Sequence, residues 1–285
     1  MAAGNRLIVN ADDFGLSPGV NAGIILAYRR GLLTSASLMA NGPAFRQAAV
    51  LAAESPGLGV GVHLNLARGR PLSPPGEIPD LVDGDGRLRG FRLRRHPRPF
   101  LEQAEREYRR QFEAVIAAGI RPTHIDFEKH HAWRAPLYGL ACRLAREYGV
   151  AAARNLREAV VWSFQSLGWP GWRRLLMAAG LRAGTGLFGG GRAGLAVPDR
   201  LLGQWRIGAM DEAAWLRLLR RVPPGVSEVM THPGLPEAPP EDIGPSWLGR
   251  EREGELAALL SEKVRRAAAA AGVRLINYRN LAAGT

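Results

Sequence analysis

Four groups of polar residues stand where an apolar run gives way to a loop. They are Asp12-Asp13, His63, the segment His124-Ile125-Asp126-Phe127-Glu128-Lys129-His130-His131, and His232 in Thr231-His232-Pro233-Gly234. Carboxylate and imidazole side chains brought together at one place form an oxygen and nitrogen donor set that suits zinc, magnesium or manganese. Two adjacent carboxylates repel one another unless a cation or a shared proton relieves them. Helix capping is the bland alternative for Asp12-Asp13, but Ser17, followed by Pro18, already offers a cap for the next helix. His63 alone would be an ordinary core histidine, and His232 alone a turn residue. Beside the aspartate pair they are a candidate ligand and a candidate general acid. Spacing does not decide which members of the 124–131 segment bind a metal.

The elements that must position these groups alternate between strand-like runs and amphipathic helical stretches. Strands are expected at Arg6–Asn10, Ser35–Met39, Val60–Leu66, Thr123–Phe127, Ala151–Arg154, Ser227–Thr231 and Arg274–Asn277. Helices are expected between them, including Pro99–Ala118, Ala135–Tyr148, Asp211–Arg221 and Arg250–Ala271. Seven or eight such units in 285 residues predict a single α/β domain over 1–285, a distorted (β/α) TIM-like barrel, with an open doubly wound sheet as the structural alternative. The barrel requires reactive side chains at strand C-termini. An irregular insertion is expected at about 157–210, containing Trp162, Trp169, Trp172 and Gly189-Gly190-Gly191, which lacks the ending of a phosphate loop.

Composition narrows the function. Hydrophobic residues make up 46% and charged residues 22%, with no run able to span a bilayer, and the short Leu7-Ile8-Val9 run reads as a first strand, so a cytoplasmic location is expected. The net charge of +12 comes almost wholly from arginines scattered among alanines, which argues against nucleic acid. The densest cluster, Arg87, Arg89, Arg92, Arg94, Arg95 and Arg98, lacks interleaved aromatics and reads as a solvated loop, with contact to an anionic lipid or phosphate as the alternative. Asp83-Gly84-Asp85-Gly86 reads as a hairpin turn, since the other ligands of a calcium loop are missing. The lone Cys142 reads as a core residue.

The motifs Asn10–Gly19 (NADDFGLSPG), Leu33–Pro43 (LTSASLMANGP), Gly61–Leu66 (GVHLNL), Ile78–Arg87 (IPDLVDGDGR) and Glu228–Gly234 (EVMTHPG) together resemble the YdjC-like carbohydrate deacetylases, the family of diacetylchitobiose deacetylase, and within it the hopanoid-biosynthesis-associated HpnK branch. The resemblance implies a barrel-like fold, one divalent metal held by an Asp and two His, and hydrolysis of the acetamide of an N-acetylglucosamine unit. Carried over, Asp13 and His63 are metal ligands, Asp12 is the base and His232 the acid. Where the family has a histidine, this chain has Glu128, followed by Lys129 and His130. Either Glu128 or His130 then completes the ligand set, and a carboxylate there favours magnesium, with manganese or zinc as alternatives. Asn65, Arg154 and Trp162 are candidate substrate contacts. The expected partner is an N-acetylated sugar or glycolipid, with peripheral contact at the inner membrane face and a homodimer as further expectations. Another metal hydrolase, such as a phosphoesterase, and a sugar- or lipid-binding protein with a decayed metal site are the rival readings.

Overall fold

The computed structural model describes residues 5–90, 98–129, 135–155, 194–240 and 248–284. Its first strand, β1 (Asn5–Phe14), leads through helix α1 (Pro18–Arg30) to β2 (Ser35–Leu38), and through α2 (Phe45–Ala53) to β3 (Gly59–Leu64). A long connection and α3 (Arg98–Ala117) precede β4 (His124–Phe127), and α4 (Ala135–Glu147) precedes the short β5 (Ala152–Ala153). Then come β6 (Arg200–Leu202), α5 (Glu212–Leu219), β7 (Gly225–Thr231), α6 (Arg250–Leu260), α7 (Glu262–Ala270), β8 (Arg274–Ile276) and α8 (Tyr278–Ala282).

Every pairing between these strands is parallel. The order is β5-β4-β3-β2-β1-β7-β6, with β8 beside the first half of β1. The sheet is curled: Arg154, next after β5 at one end of the order, donates to Glu228 on β7 near the other. A single parallel bridge, Ala152 to Ala196, also reaches across from β5. The α/β class therefore holds, as a curled parallel sheet. Among the described residues the expected distorted barrel is seen only as this curled sheet, in which β5 and β6 are two and three residues long and β8 pairs with β1. Such short segments hold too few ladder hydrogen bonds to complete a regular barrel wall.

Parallel strands covered on both faces lose the alternation of a half-exposed strand. All six residues of β3 and the last eight of β1 are buried. Around the sheet, α3 buries Phe100, Ala104, Tyr108, Phe112 and Val115, a stripe at helical spacing. The same stripe buries Glu107 and Gln111. Glu107 accepts from the backbone N–H of Leu72 and Ser73, and Gln111 bonds both the N–H and the carbonyl of Asn65. These two side chains tie the loop after β3 to α3.

Ser17 caps α1, accepting from the Val20 N–H, with Pro18 in the first turn. Asp83 accepts from the N–H groups of Asp85 and Arg87, and Val82 bridges Leu88 antiparallel, as a hairpin turn requires. Cys142 is a buried free thiol. Within the expected insertion, Arg200–Leu202 is not irregular: it is a strand of the sheet, paired with β7. Its three residues are too few to show a period of two. Trp162, Trp169, Trp172 and the triple glycine lie outside the described residues.

Candidate active site

The site lies at the C-terminal ends of the parallel strands, where side chains leave the sheet and converge. Asp12 and Asp13 come from the end of β1, His63 from β3, Asp126 from β4 with Glu128 just after it, Arg154 from the residue after β5, and His232 from the residue after β7. The β3–β4 register sets His63 directly beside Asp126. Gly61, two residues earlier, faces the His124 ring, and a Cβ there would lie 2.4 Å from it, so the strand approaches this closely only with glycine. Asp13 has φ of 70°, in the left-handed region disfavoured for a residue with a Cβ, and Lys129, next to Glu128, has φ of 51°. Backbone strain therefore falls at two points beside the same cluster.

Asp13, His63 and Glu128 offer three donor atoms within 4.8 Å of one another, all buried. His63 Nε2 lies 3.1 Å from Glu128 Oε2 and 3.9 Å from Asp13 Oδ1, and its Nδ1 lies 2.8 Å from Asp126 Oδ1. A histidine held by a carboxylate through one ring nitrogen, with the other turned to an oxygen cluster, is the arrangement that orients metal-binding imidazoles. Two carboxylates and one imidazole are chemically suited to magnesium, manganese or zinc. Asp12, His63 and Asp126 meet the same spacing. In that group Arg154 bridges the two carboxylates, at 2.6 Å from Asp12 Oδ1 and 2.8 Å from Asp126 Oδ2, as Arg68 bridges Asp13 and Glu128 at 2.8 and 2.9 Å in the first.

The electrostatics follow from burial and pairing. Burial raises the Asp13 carboxyl, but Arg68 and Arg252, at 2.8 and 2.5 Å from its two oxygens, outweigh it and hold the group well below the carboxylate range. For Asp12 burial likewise opposes ionisation, and Arg154, bonded to both oxygens, brings the net shift below normal. Burial lowers His63, yet Asp126 and Glu128 together raise it well above the usual histidine value. His124 is pushed down to about 3 by burial, so its ring is neutral, bonded to Ser37 and stacked on Tyr278 at 3.8 Å.

The other candidates divide. His232 is 7% exposed; its backbone N–H donates to Glu255 at 2.5 Å, and its Nδ1 lies 3.9 Å from the same carboxylate. Its loop packs tightly on α1, where Gly23 meets Gly234 so closely that a Cβ would lie 2.5 Å from the opposing Cα. Arg154 and Asn65, expected to contact substrate, are both fully buried. Arg154 is committed to Asp12, Asp126 and Glu228, because a buried guanidinium needs carboxylate partners. Asn65 spends its amide on Asn41 and on the backbone of Ala67 and Arg68, shaping the loop after β3. Both stand behind the site, not at its mouth. His130 and Trp162 lie outside the described residues. Sequence reasoning missed Arg68, Arg252 and Glu255. Arg68 had a faint signal, five residues beyond His63, whereas Arg252 and Glu255 sit on the expected helix Arg250–Ala271 with no apolar stripe to mark them as buried. A cavity of about 220 Å³ beside Arg68 is lined by Met39, Asn41, Pro43 and Arg70 among others.

A curled parallel α/β sheet bearing buried carboxylates and imidazoles at its strand C-termini defines the class: an α/β protein with a site suited to a divalent cation. The chain belongs to the YdjC-like protein family, whose model matches residues 6–270. Among curated proteins it is similar to the carbohydrate deacetylase of Brevibacillus brevis, 47% identical over 146 residues, which are 51% of this chain and 57% of that one. It is also similar to carbohydrate deacetylase 1 of Listeria innocua, 40% identical over 153 residues, covering 53% and 61%. These alignments thus span about three-fifths of the relatives' length. Over nearly its whole length it resembles a crystal structure from Enterococcus faecalis V583, provisionally described as a cellobiose-phosphate cleavage protein, with a TM-score of 0.76, 29% identity and coverage of 98% and 99%.

Proposed function

We propose that this protein is a metal-dependent carbohydrate deacetylase that hydrolyses the N-acetyl group of an N-acetylglucosamine-containing sugar. The observation that carries this reading is the buried triad of Asp13, His63 and Glu128 beside a second aspartate, Asp12, in a chain of the YdjC-like family. Its curated relatives in Brevibacillus and Listeria are named carbohydrate deacetylases.

Amide hydrolysis needs an activated water, a stabilised oxyanion and a protonated amine leaving group. Asp13, His63 and Glu128 would hold the ion, which when bound supplies Lewis acidity and a water of lowered pKa. Asp12 is ionised at neutral pH and locked in one orientation by Arg154 and Asn10, so it can accept the water proton without rotating. His232, whose backbone N–H donates to Glu255 of α6, would donate a proton of its own to the departing nitrogen. Arg68 and Arg252 keep Asp13 deprotonated, the form in which a carboxylate ligates.

The finer features rest on the sequence. Glu128 in place of the family's histidine makes the donor set harder and favours magnesium. The resemblance to the HpnK branch supports a hopanoid glycolipid as the acetylated substrate, met at the inner membrane face by a peripheral, dimeric form of the protein. Among the described residues no helix is long and apolar enough to cross a membrane. The test is acetate release from N-acetylglucosaminyl lipids and chitooligosaccharides by metal-loaded protein, beside Asp13→Ala.

A further inference from the structure

Arg68 is the cation that touches two of the proposed metal ligands. Its Nη2 lies 2.8 Å from Asp13 Oδ1 and its Nε 2.9 Å from Glu128 Oε1, so one guanidinium spans two of the three donors. Arg252 holds the other oxygen of Asp13 at 2.5 Å. Two carboxylates thus face two guanidinium groups, and the cluster carries little net negative charge to attract a divalent ion. A cation taking up Asp13 and Glu128 must compete with Arg68 for the same lone pairs and against its charge.

The surroundings of Arg68 suit such an exchange. Its backbone is fixed: its N–H donates to Asn65 Oδ1 and its carbonyl accepts from Asn65 and Asn41. Arg68 is also one of the residues lining the 220 Å³ cavity with Asn41 and Arg70, a space next to its own position that a displaced guanidinium would enter.

We infer that Arg68 is an exchangeable counter-cation: it neutralises Asp13 and Glu128 in the metal-free protein and is displaced into the neighbouring cavity when a divalent cation binds. The inference rests on the metal reading of this site. It makes Arg68 a determinant of metal affinity, since the ion must replace a charge-assisted pair that a neutral side chain would not offer.

The test is a titration of metal-stripped protein with Mn²⁺ alone, read by the loss of the free-ion electron paramagnetic resonance signal, for wild type, Arg68→Gln and Arg68→Lys. The expected result is a Kd lower by about tenfold or more in Arg68→Gln, with Arg68→Lys, which keeps the charge, close to wild type. Equal or weaker binding by Arg68→Gln would overturn the exchange while leaving the metal site intact, and no Mn²⁺ binding by any of the three proteins would overturn both. Should Arg68→Gln fail to fold, wild-type crystals soaked in Mn²⁺ decide the matter. The guanidinium is expected to leave both carboxylates; Mn²⁺ bound to Asp13 and Glu128 with both arginine contacts kept would overturn the inference.

Discussion

Arg154 grips Asp12 with both Nη atoms, at 2.7 Å from Oδ2 and 2.6 Å from Oδ1, and the same guanidinium reaches Asp126 and Glu228. One fully buried cation thus serves three buried carboxylates contributed by β1, β4 and β7. Replacing it with methionine leaves those carboxylates without their common partner, and Arg154→Met is expected to cost about 3–5 kcal/mol, measured by urea unfolding. A loss below about 1 kcal/mol would mean that the network is not held as described.

Asp12→Asn keeps the shape of the side chain but removes the proposed base. It should lower kcat by about 10²–10⁴-fold with KM little changed, while the far-ultraviolet circular dichroism remains that of the wild type. Unchanged kcat would assign the base elsewhere.

Glu228 gives a pH signature of stability. Burial pushes its pKa up to about 7, despite Arg154 and the Tyr278 hydroxyl that donates to it. A carboxyl raised in the folded state binds more protons there than in the unfolded chain, so its contribution is present below the usual pKa of 4.5 and is lost as pH rises towards about 7. Glu228→Gln removes that loss. Relative to wild type the variant should gain about 3 kcal/mol between pH 4.5 and 7, read from urea midpoints, and a constant difference across this range would refute the raised pKa.

At position 61 the close approach to His124 makes a structural prediction. Gly61→Ala must push the ring away from its stack on Tyr278 and from Ser37, for an expected loss of about 1–3 kcal/mol and a lowered Tm. An unchanged melting curve would show that the strand has room there.

Glu128→His restores the residue type found elsewhere in the resemblance and removes a carboxylate from Arg68. Metal preference should move towards zinc, measured as the ratio of Zn²⁺ to Mg²⁺ affinity by calorimetric titration. A ratio unmoved by the substitution would place Glu128 outside the ligand set.

Much of this site could be read from the chain because its residues interrupt apolar runs. Asp12, Asp13, His63 and Glu128 each follow buried strand residues, and parallel strands deliver such positions to one end of the sheet. What the sequence hid were partners from other kinds of segment. Arg68 lies in a loop, and Arg252 and Glu255 lie on α6, whose pattern gives no apolar stripe to mark one face as buried. Glu107 and Gln111 were visible only as polar breaks in the stripe of α3. Arg154, a candidate substrate contact, is enclosed by carboxylates from β1, β4 and β7, a pairing that only the curl of the sheet reveals. Strand β6 was too short to register, although it pairs with β7 over three residues.

The central claim is tested most directly by incubating metal-stripped protein with N-acetylglucosaminyl lipids and chitooligosaccharides, restoring Mg²⁺, Mn²⁺ or Zn²⁺ in turn, and measuring acetate. Metal-dependent release that disappears in Asp13→Ala is the predicted result. Binding of these substrates with no acetate under any of the three metals would contradict a deacetylase and favour a sugar-binding protein instead.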